Sequence, residues 1–196
     1  MSKPKLLFQG PVFTRSGYGD HARDILRSIF ELDRFDVQII PKRWGNTPQN
    51  QTELDTEFGK KMISCLAGQI KERPDVFIQM TVPNEFTPLG SYNIGITAGT
   101  ETNMAPQEFL DGGNKMDLII TPSNFTKNVL LSTVYTKVNR VTKQKLGEVR
   151  LQKPVEVLFE GVREDLFDEK KSDDKLLSKV KTDFNFLIVG HWLSGK

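Results

Sequence analysis

Two separated segments carry the residue types that could do chemistry. The first, Thr14-Arg15-Ser16-Gly17-Tyr18-Gly19, lies between an apolar run and a helical pattern. Glycines at such a place let the backbone approach a ligand closely, and the amino end of the next helix offers free N–H groups to an anion. A glycine turn that merely starts a helix accounts for the same residues. His21 follows one turn into that helix, where an ordinary polar-face residue would also stand. The second segment, Gly95-Ile96-Thr97-Ala98-Gly99-Thr100-Glu101-Thr102-Asn103-Met104-Ala105-Pro106, follows a strand pattern and precedes a helical one. A carboxylate there, among small residues, would point into the cleft at the strand ends. Alternatively, Glu101 sits in the first turn of a helix and favours its dipole.

Gly17, Gly19 and Ala22 also match the dinucleotide fingerprint with alanine in the last place. Two features speak against that reading. The first glycine comes eight residues after the expected strand, and Ile40-Pro41-Lys42 replaces the acidic residue that would hold a ribose.

The elements that must position these residues alternate in type. Short β-rich apolar runs at 5–9, 36–40, 75–79, 92–97, 117–120 and 155–159 are expected strands. Between them the pattern predicts helices over 17–32, 54–72, 106–112 and 124–131, with Ser123 capping the last. In the first helix Ala22, Ile25, Leu26 and Ile29 recur at the spacing of one buried face. Such alternation predicts an α/β fold with a Rossmann-like, doubly wound, mostly parallel sheet. Residues 41–53 read as a loop. Residues 134–153 carry six Lys or Arg against one Glu and read as a basic hairpin or extended insertion. That stretch either attracts an acidic acceptor, such as a phospholipid surface or a phosphorylated glycan, or is a solvated hairpin on the domain rim. A charged connector over 172–181 and a last strand over 184–189 suggest a new domain opening where the chain stops. The expected organisation is a domain over 1–170, a linker over 171–183 and the start of a second domain over 184–196.

Composition bounds the function class. Hydrophobic content of 37% and charged content of 27% are those of an ordinary globular protein, and a net charge of +2 does not argue for nucleic acid. No apolar run approaches the ~20 residues that cross a bilayer. The start of the chain lacks a signal-peptide core, so the expected location is the cytoplasm. Cys65, the single cysteine, excludes an internal disulfide framework and reads as a small core hydrophobe on a helix; two histidines make no zinc site.

The motifs in order resemble those of a retaining glycosyltransferase of family four. Ile96 to Glu101, then Pro106-Gln107-Glu108-Phe109, Met116-Asp117, and Thr121-Pro122-Ser123-Asn124-Phe125 match the family's glutamate segment, Pro-x-Glu-aromatic turn, "MD" and "PS-x-F". Gly161-Val162, followed by Asp165 and Phe167, resembles the family's "G-V-D" segment, with Arg163 in place of its Asp. Phe186 to Lys196 resembles the run that opens the family's second domain, with His191 where the family has Arg.

The resemblance implies a GT-B architecture of two facing Rossmann-like domains, of which this chain holds the acceptor side. It implies a nucleotide-sugar co-substrate, no cofactor or metal, and a carbohydrate or lipid-linked acceptor, with weak membrane-surface contact as a further partner. Glu101 and His21 would be catalytic. Gly17, Gly19, His191 and Lys196 would meet the donor phosphates, where neutral imidazole lacks arginine's bidentate fork. Tyr18 and Asn103 would bind the acceptor. Most donor contacts would come from beyond Lys196, so the 196 residues alone are expected to have negligible transferase activity. A non-catalytic glycan- or nucleotide-binding module is the competing reading.

Overall fold

Six of the short apolar runs become parallel strands of one sheet. In chain order the elements are β1 (Lys5–Gly10), α1 (Gly17–Leu32), β2 (Asp36–Pro41), α2 (Glu57–Ser64), β3 (Val76–Met80), β4 (Tyr92–Ile96), α3 (Gln107–Gly113), β5 (Leu118–Thr121), α4 (Asn124–Ser132), β6 (Val134–Val138), β7 (Lys145–Arg150) and β8 (Val155–Val157). The computed structural model describes residues 2–49, 54–162, 175 and 178–186. The chain divides into two units, Met1–Glu160 and Gly161–Lys196, and all the named elements belong to the first. The expected domain boundary near 170 falls outside the described residues.

The sheet order is β2-β1-β3-β4-β5-β8, all neighbours parallel. This is the doubly wound, Rossmann-like arrangement, with its topological switch point between β1 and β3. Register sorts the side chains onto two faces, because successive residues of a strand point to opposite sides. Leu6 and Phe8 pair with Val76 and Ile78, and Ile78 with Ile94, on one face. That face packs against Ala22, Leu26, Ile29 and Phe30 of α1 and Met62 of α2. Ile119 pairs with Val155 on the other, which meets Phe86, Leu110 of α3, and Val129 and Leu130 of α4.

Helix starts follow their capping residues. Ser16, Thr56 and Ser123 each accept a hydrogen bond from the backbone N–H three residues on, satisfying donors that have no partner inside the helix.

The structure departs from the sequence reading at α2. The helix stops at Ser64 instead of running to 72, and Cys65 caps its end, half-buried against the core. Beyond it the chain lies against β2: Ile39 N–H donates to Cys65 O at 2.8 Å, and Ala67 N–H donates to Ile39 O at 2.9 Å. An edge strand has unpaired backbone groups, and satisfying those of Ile39 outweighs another turn of helix. The strand expected over 155–159 ends at Val157, and Phe184 to Phe186 are not in a strand; 187–189 lie outside the described residues. A single 3-10 turn, Pro83–Glu85, was not expected. The basic stretch is a hairpin, β6 antiparallel to β7 with an irregularity at Lys137/Val138. Among the described residues no helix is long and apolar enough to cross a membrane.

Helix α3 packs directly on the turn after β3. A Cβ placed on Gly112 would lie 1.9 Å from Pro83 O, a backbone atom that cannot swing away. Gly112→Ala is therefore expected to lose about 1–3 kcal/mol of stability, read from the urea midpoint; an unchanged midpoint would show that the contact gives way freely.

Candidate functional site

The loops after β1, β2, β3, β4 and β5 converge at the carboxyl ends of the strands, where doubly wound sheets bind ligands. The loop after β1 is held from inside. Arg23 is almost fully buried, and its Nη1 donates to Val12 O and Thr14 O, each at 3.0 Å, while Nη2 reaches Asp20. A buried guanidinium must be hydrogen-bonded to be tolerated, and the carbonyls of the loop supply the acceptors. Thr14 closes the turn by donating to Pro11 O at 2.9 Å, and its hydroxyl meets that of Ser16 at 2.8 Å.

The two glycines of this loop differ in what demands them. A Cβ on Gly19 would lie 2.3 Å from Thr14 O and 2.7 Å from Thr14 Oγ1, so the missing side chain is what lets α1 close on the loop. Around Gly17 nothing stands within 4 Å of a Cβ, and its backbone is not in the left-handed region. The first N–H groups of the helix, at Gly17 and Tyr18, have no intrahelical acceptor. Gly19 is a packing glycine; Gly17 borders open space at a helix amino end.

Tyr18 ties this loop to the glutamate segment. Ala98 N–H donates to its hydroxyl at 2.9 Å, and the hydroxyl lies 3.2 Å from Thr97 Oγ1. Thr126 Oγ1 donates to Ala98 O at 3.3 Å. Gly99, at φ 80°, takes a conformation that favours glycine, and a Cβ there would lie 2.1 Å from Thr126 Cγ2. The Tyr18 ring stacks on Trp44, with centroids 4.1 Å apart and planes at 26°. Trp44 belongs to the loop after β2, anchored by Lys42 N–H to Gly10 O at 2.8 Å and Arg15 N–H to Pro48 O at 3.0 Å. With its hydroxyl engaged, what Tyr18 can offer a ligand is its ring.

Glu101 and Asn103 are exposed on the bent segment between β4 and α3. Glu101 is not in the first turn of a helix, since α3 begins at Gln107, and it pairs with no described residue. His21 is not a solvated polar-face residue: it is only 7% exposed, with Nδ1 3.1 Å from Glu160 Oε1. Burial pulls the imidazole below its ordinary pKa of 6.5, while the charges of Glu160 and Asp24 act in the other direction. Gly17, Tyr18, Gly19 and the segment leading to Glu101 are thus brought to one rim. His191 and Lys196 lie outside the described residues.

Several groups at the rim were given no role of their own by the sequence reading. Thr81, Thr97 and Thr121, at the ends of β3, β4 and β5, are fully buried or nearly so, and with Thr14 their hydroxyls tie down the loops. Lys42 Nζ lies 2.6 Å from Glu85 Oε2, which also accepts from Thr81 Oγ1 at 2.7 Å; both contacts hold the Glu85 carboxyl below its usual range. Arg23 and these threonines sit at helix and strand positions whose types carry no special signal; the polar ends of otherwise apolar strands are the trace they leave. A cavity of about 230 Å³ lies away from this rim, lined by Lys5, Leu7, Gln38, Glu72 and Pro74 at the amino-end side of the sheet. No group of three or more metal-ligating side chains occurs among the described residues.

No protein-family model, no curated protein and no solved structure matches this chain.

The contrast between the two glycines is measurable. Gly19→Ala should cost about 1–3 kcal/mol of stability, whereas Gly17→Ala should stay within about 0.5 kcal/mol of the parent. Equal losses in chemical denaturation would remove the distinction.

His21 predicts an acid-sensitive fold. Its folded pKa is lowered, so the unfolded chain binds more protons; the stability is full above pH 6.5 and falls as the pH drops through and below that value. His21→Gln should flatten that part of the stability–pH curve. Parallel curves for parent and variant would assign the acid sensitivity to other groups.

Proposed function

We propose that this chain is the acceptor-side domain of a retaining GT-B glycosyltransferase, moving a sugar from a nucleotide-sugar to an acceptor hydroxyl. The observation that carries the reading is the Tyr18 hydroxyl bridge, which joins the Gly17–Gly19 loop to the segment of Glu101 at the carboxyl ends of the sheet. These are the two segments that the resemblance assigns to donor phosphate and to catalysis. The fold adds support, because a doubly wound sheet is what each half of such an enzyme requires.

The chemistry asks little covalent work of the protein. Donor phosphate and acceptor hydroxyl must be held together in a closed cleft, and the negative charge growing on the leaving diphosphate must be met by preorganised donors. In this chain the open amino end of α1 at Gly17 supplies such N–H groups. Glu101, exposed and without a described partner, is not committed to the core, which supports a role toward reactants. Lys42 follows β2 where a dinucleotide site would have its ribose-binding acid, and the carboxylate beside it, Glu85, is already engaged by Lys42 and Thr81. The nucleotide-sugar is a co-substrate, and no step here calls for a resident cofactor.

The test is sugar transfer by the protein in which this chain is joined to a donor-binding domain. A panel of nucleotide-sugars is offered and the anomeric configuration of the product is read by NMR. Transfer with retention is expected, with Glu101→Ala lowering kcat/KM by about a hundredfold and Gly17→Ala weakening the donor without loss of stability. The 196 residues alone should show negligible transfer. Nucleotide-sugar binding with no transfer to any acceptor would favour the non-catalytic module, and transfer with inversion would sink the proposal.

A further inference from the structure

The β6–β7 hairpin has a buried base and a bare tip. At the base the Tyr135 hydroxyl donates to Ala105 O at 2.8 Å, and Val149 and Leu151 are buried in the core shared with α3 and α4. Asn114 grips the strand end, donating to Arg150 O at 2.9 Å and accepting from Gln152 N–H at 2.8 Å. Toward the tip, Val138, Val141 and Leu146 are 50%, 89% and 65% exposed. The tip has defined local structure: Asn139 Oδ1 accepts from the N–H groups of Val141 and Thr142 at 2.8 and 3.0 Å, and Lys143 N–H donates to Asn139 O at 2.9 Å. Lys143 holds φ 59°, a conformation that a non-glycine residue takes at some cost.

Cations surround these apolar side chains. Lys137, Arg140 and Lys143 make no ion pair with any described residue. Glu148, the one acid of the stretch, is engaged by Lys145 at 2.8 Å and by Arg150, which hold its carboxyl below the usual range. The whole chain has 27 basic and 25 acidic residues, so with six basic residues and one acid in 134–153 the remainder is net acidic. Positive charge is thus concentrated where aliphatic side chains are exposed.

We propose that this tip docks on an anionic phospholipid surface. Val138, Val141 and Leu146 enter the boundary between headgroups and acyl chains, and the neighbouring lysines and arginine meet the lipid phosphates. Aliphatic side chains ringed by cations match that boundary, which is apolar below and negatively charged above. A nucleic acid or a glycan would be met by an aromatic ring for stacking, and the hairpin's one aromatic, Tyr135, is used at the base. A second copy of the chain is disfavoured because two like-charged tips repel. The inference does not depend on sugar transfer.

The experiment is co-sedimentation with large unilamellar vesicles, with far-UV circular dichroism confirming that each variant is folded. Binding is expected to vesicles of equimolar phosphatidylglycerol and phosphatidylcholine, to weaken as salt rises, and to be absent with phosphatidylcholine alone. Arg140→Glu with Lys143→Glu should reduce it at least about tenfold. Val141→Ser with Leu146→Ser, which alters no charge, should reduce it severalfold. Full binding by the serine variant would overturn the proposal and leave a purely electrostatic polyanion site, such as one for a phosphorylated glycan. Equal binding to neutral vesicles, or vesicle-free self-association abolished by the serine variant, would also overturn it.

Discussion

The buried guanidinium of Arg23 is the interaction on which the rim of this domain depends. It sits nearly two turns inside α1 yet donates backwards to two carbonyls of the loop that precedes the helix. Those carbonyls would otherwise be unpaired beside an apolar core, and the guanidinium would be an uncompensated buried charge. Each requires the other. The close approach is sterically open because residue 19 has no Cβ to strike Thr14 O. Once α1 is fixed against the loop, Tyr18 at its start reaches the end of β4, and Trp44 can stack on Tyr18 from the loop after β2. Three loops from three strands are thereby referred to one helix amino end.

Much of what looks like motif in this chain is architecture. Met116 is fully buried, and Asp117 accepts from both the N–H and the side-chain amide of Asn93, so it joins β5 to β4. Ser123 caps α4. Gly95 makes room for the ring of Phe86, which a Cβ would approach to 2.6 Å. These residues have physical work in any doubly wound domain, and their presence speaks for the fold. Gly17, Glu101 and Asn103 have no such work within the described residues. Resemblance to a glycosyltransferase therefore rests for its chemistry on few positions, which is why the Tyr18 bridge between their segments carries weight.

Charge is distributed unevenly over the domain. At the rim, cations are neutralised locally, as Lys42 is by Glu85 and Arg23 by Asp20. At the hairpin tip Lys137, Arg140 and Lys143 have no such partner among the described residues, and the apolar side chains beside them stay in water. The Lys42–Glu85 pair, part-exposed, contributes little to stability by itself. An unneutralised cluster set on a well-anchored base keeps its field, because that field is not cancelled within the chain.

The sequence by itself determined most element types, the strand-by-strand alternation and the cap at Ser123, and it left residues 134–153 as either a hairpin or an extended insertion. The first three are local properties: apolar periodicity and a capping side chain beside an orphan N–H. It also placed Gly17 and Glu101 after strands, where a parallel sheet leaves its loops. Tertiary structure alone decided that α2 ends at Ser64, because the backbone of an edge strand far along the chain needed partners there. Only tertiary structure separated Gly19 from Gly17, buried His21 beside Glu160, and chose Arg23 and the buried threonines as the holders of the loops. These outcomes depend on which atoms meet across tens of residues, and neither residue type nor spacing encodes those meetings.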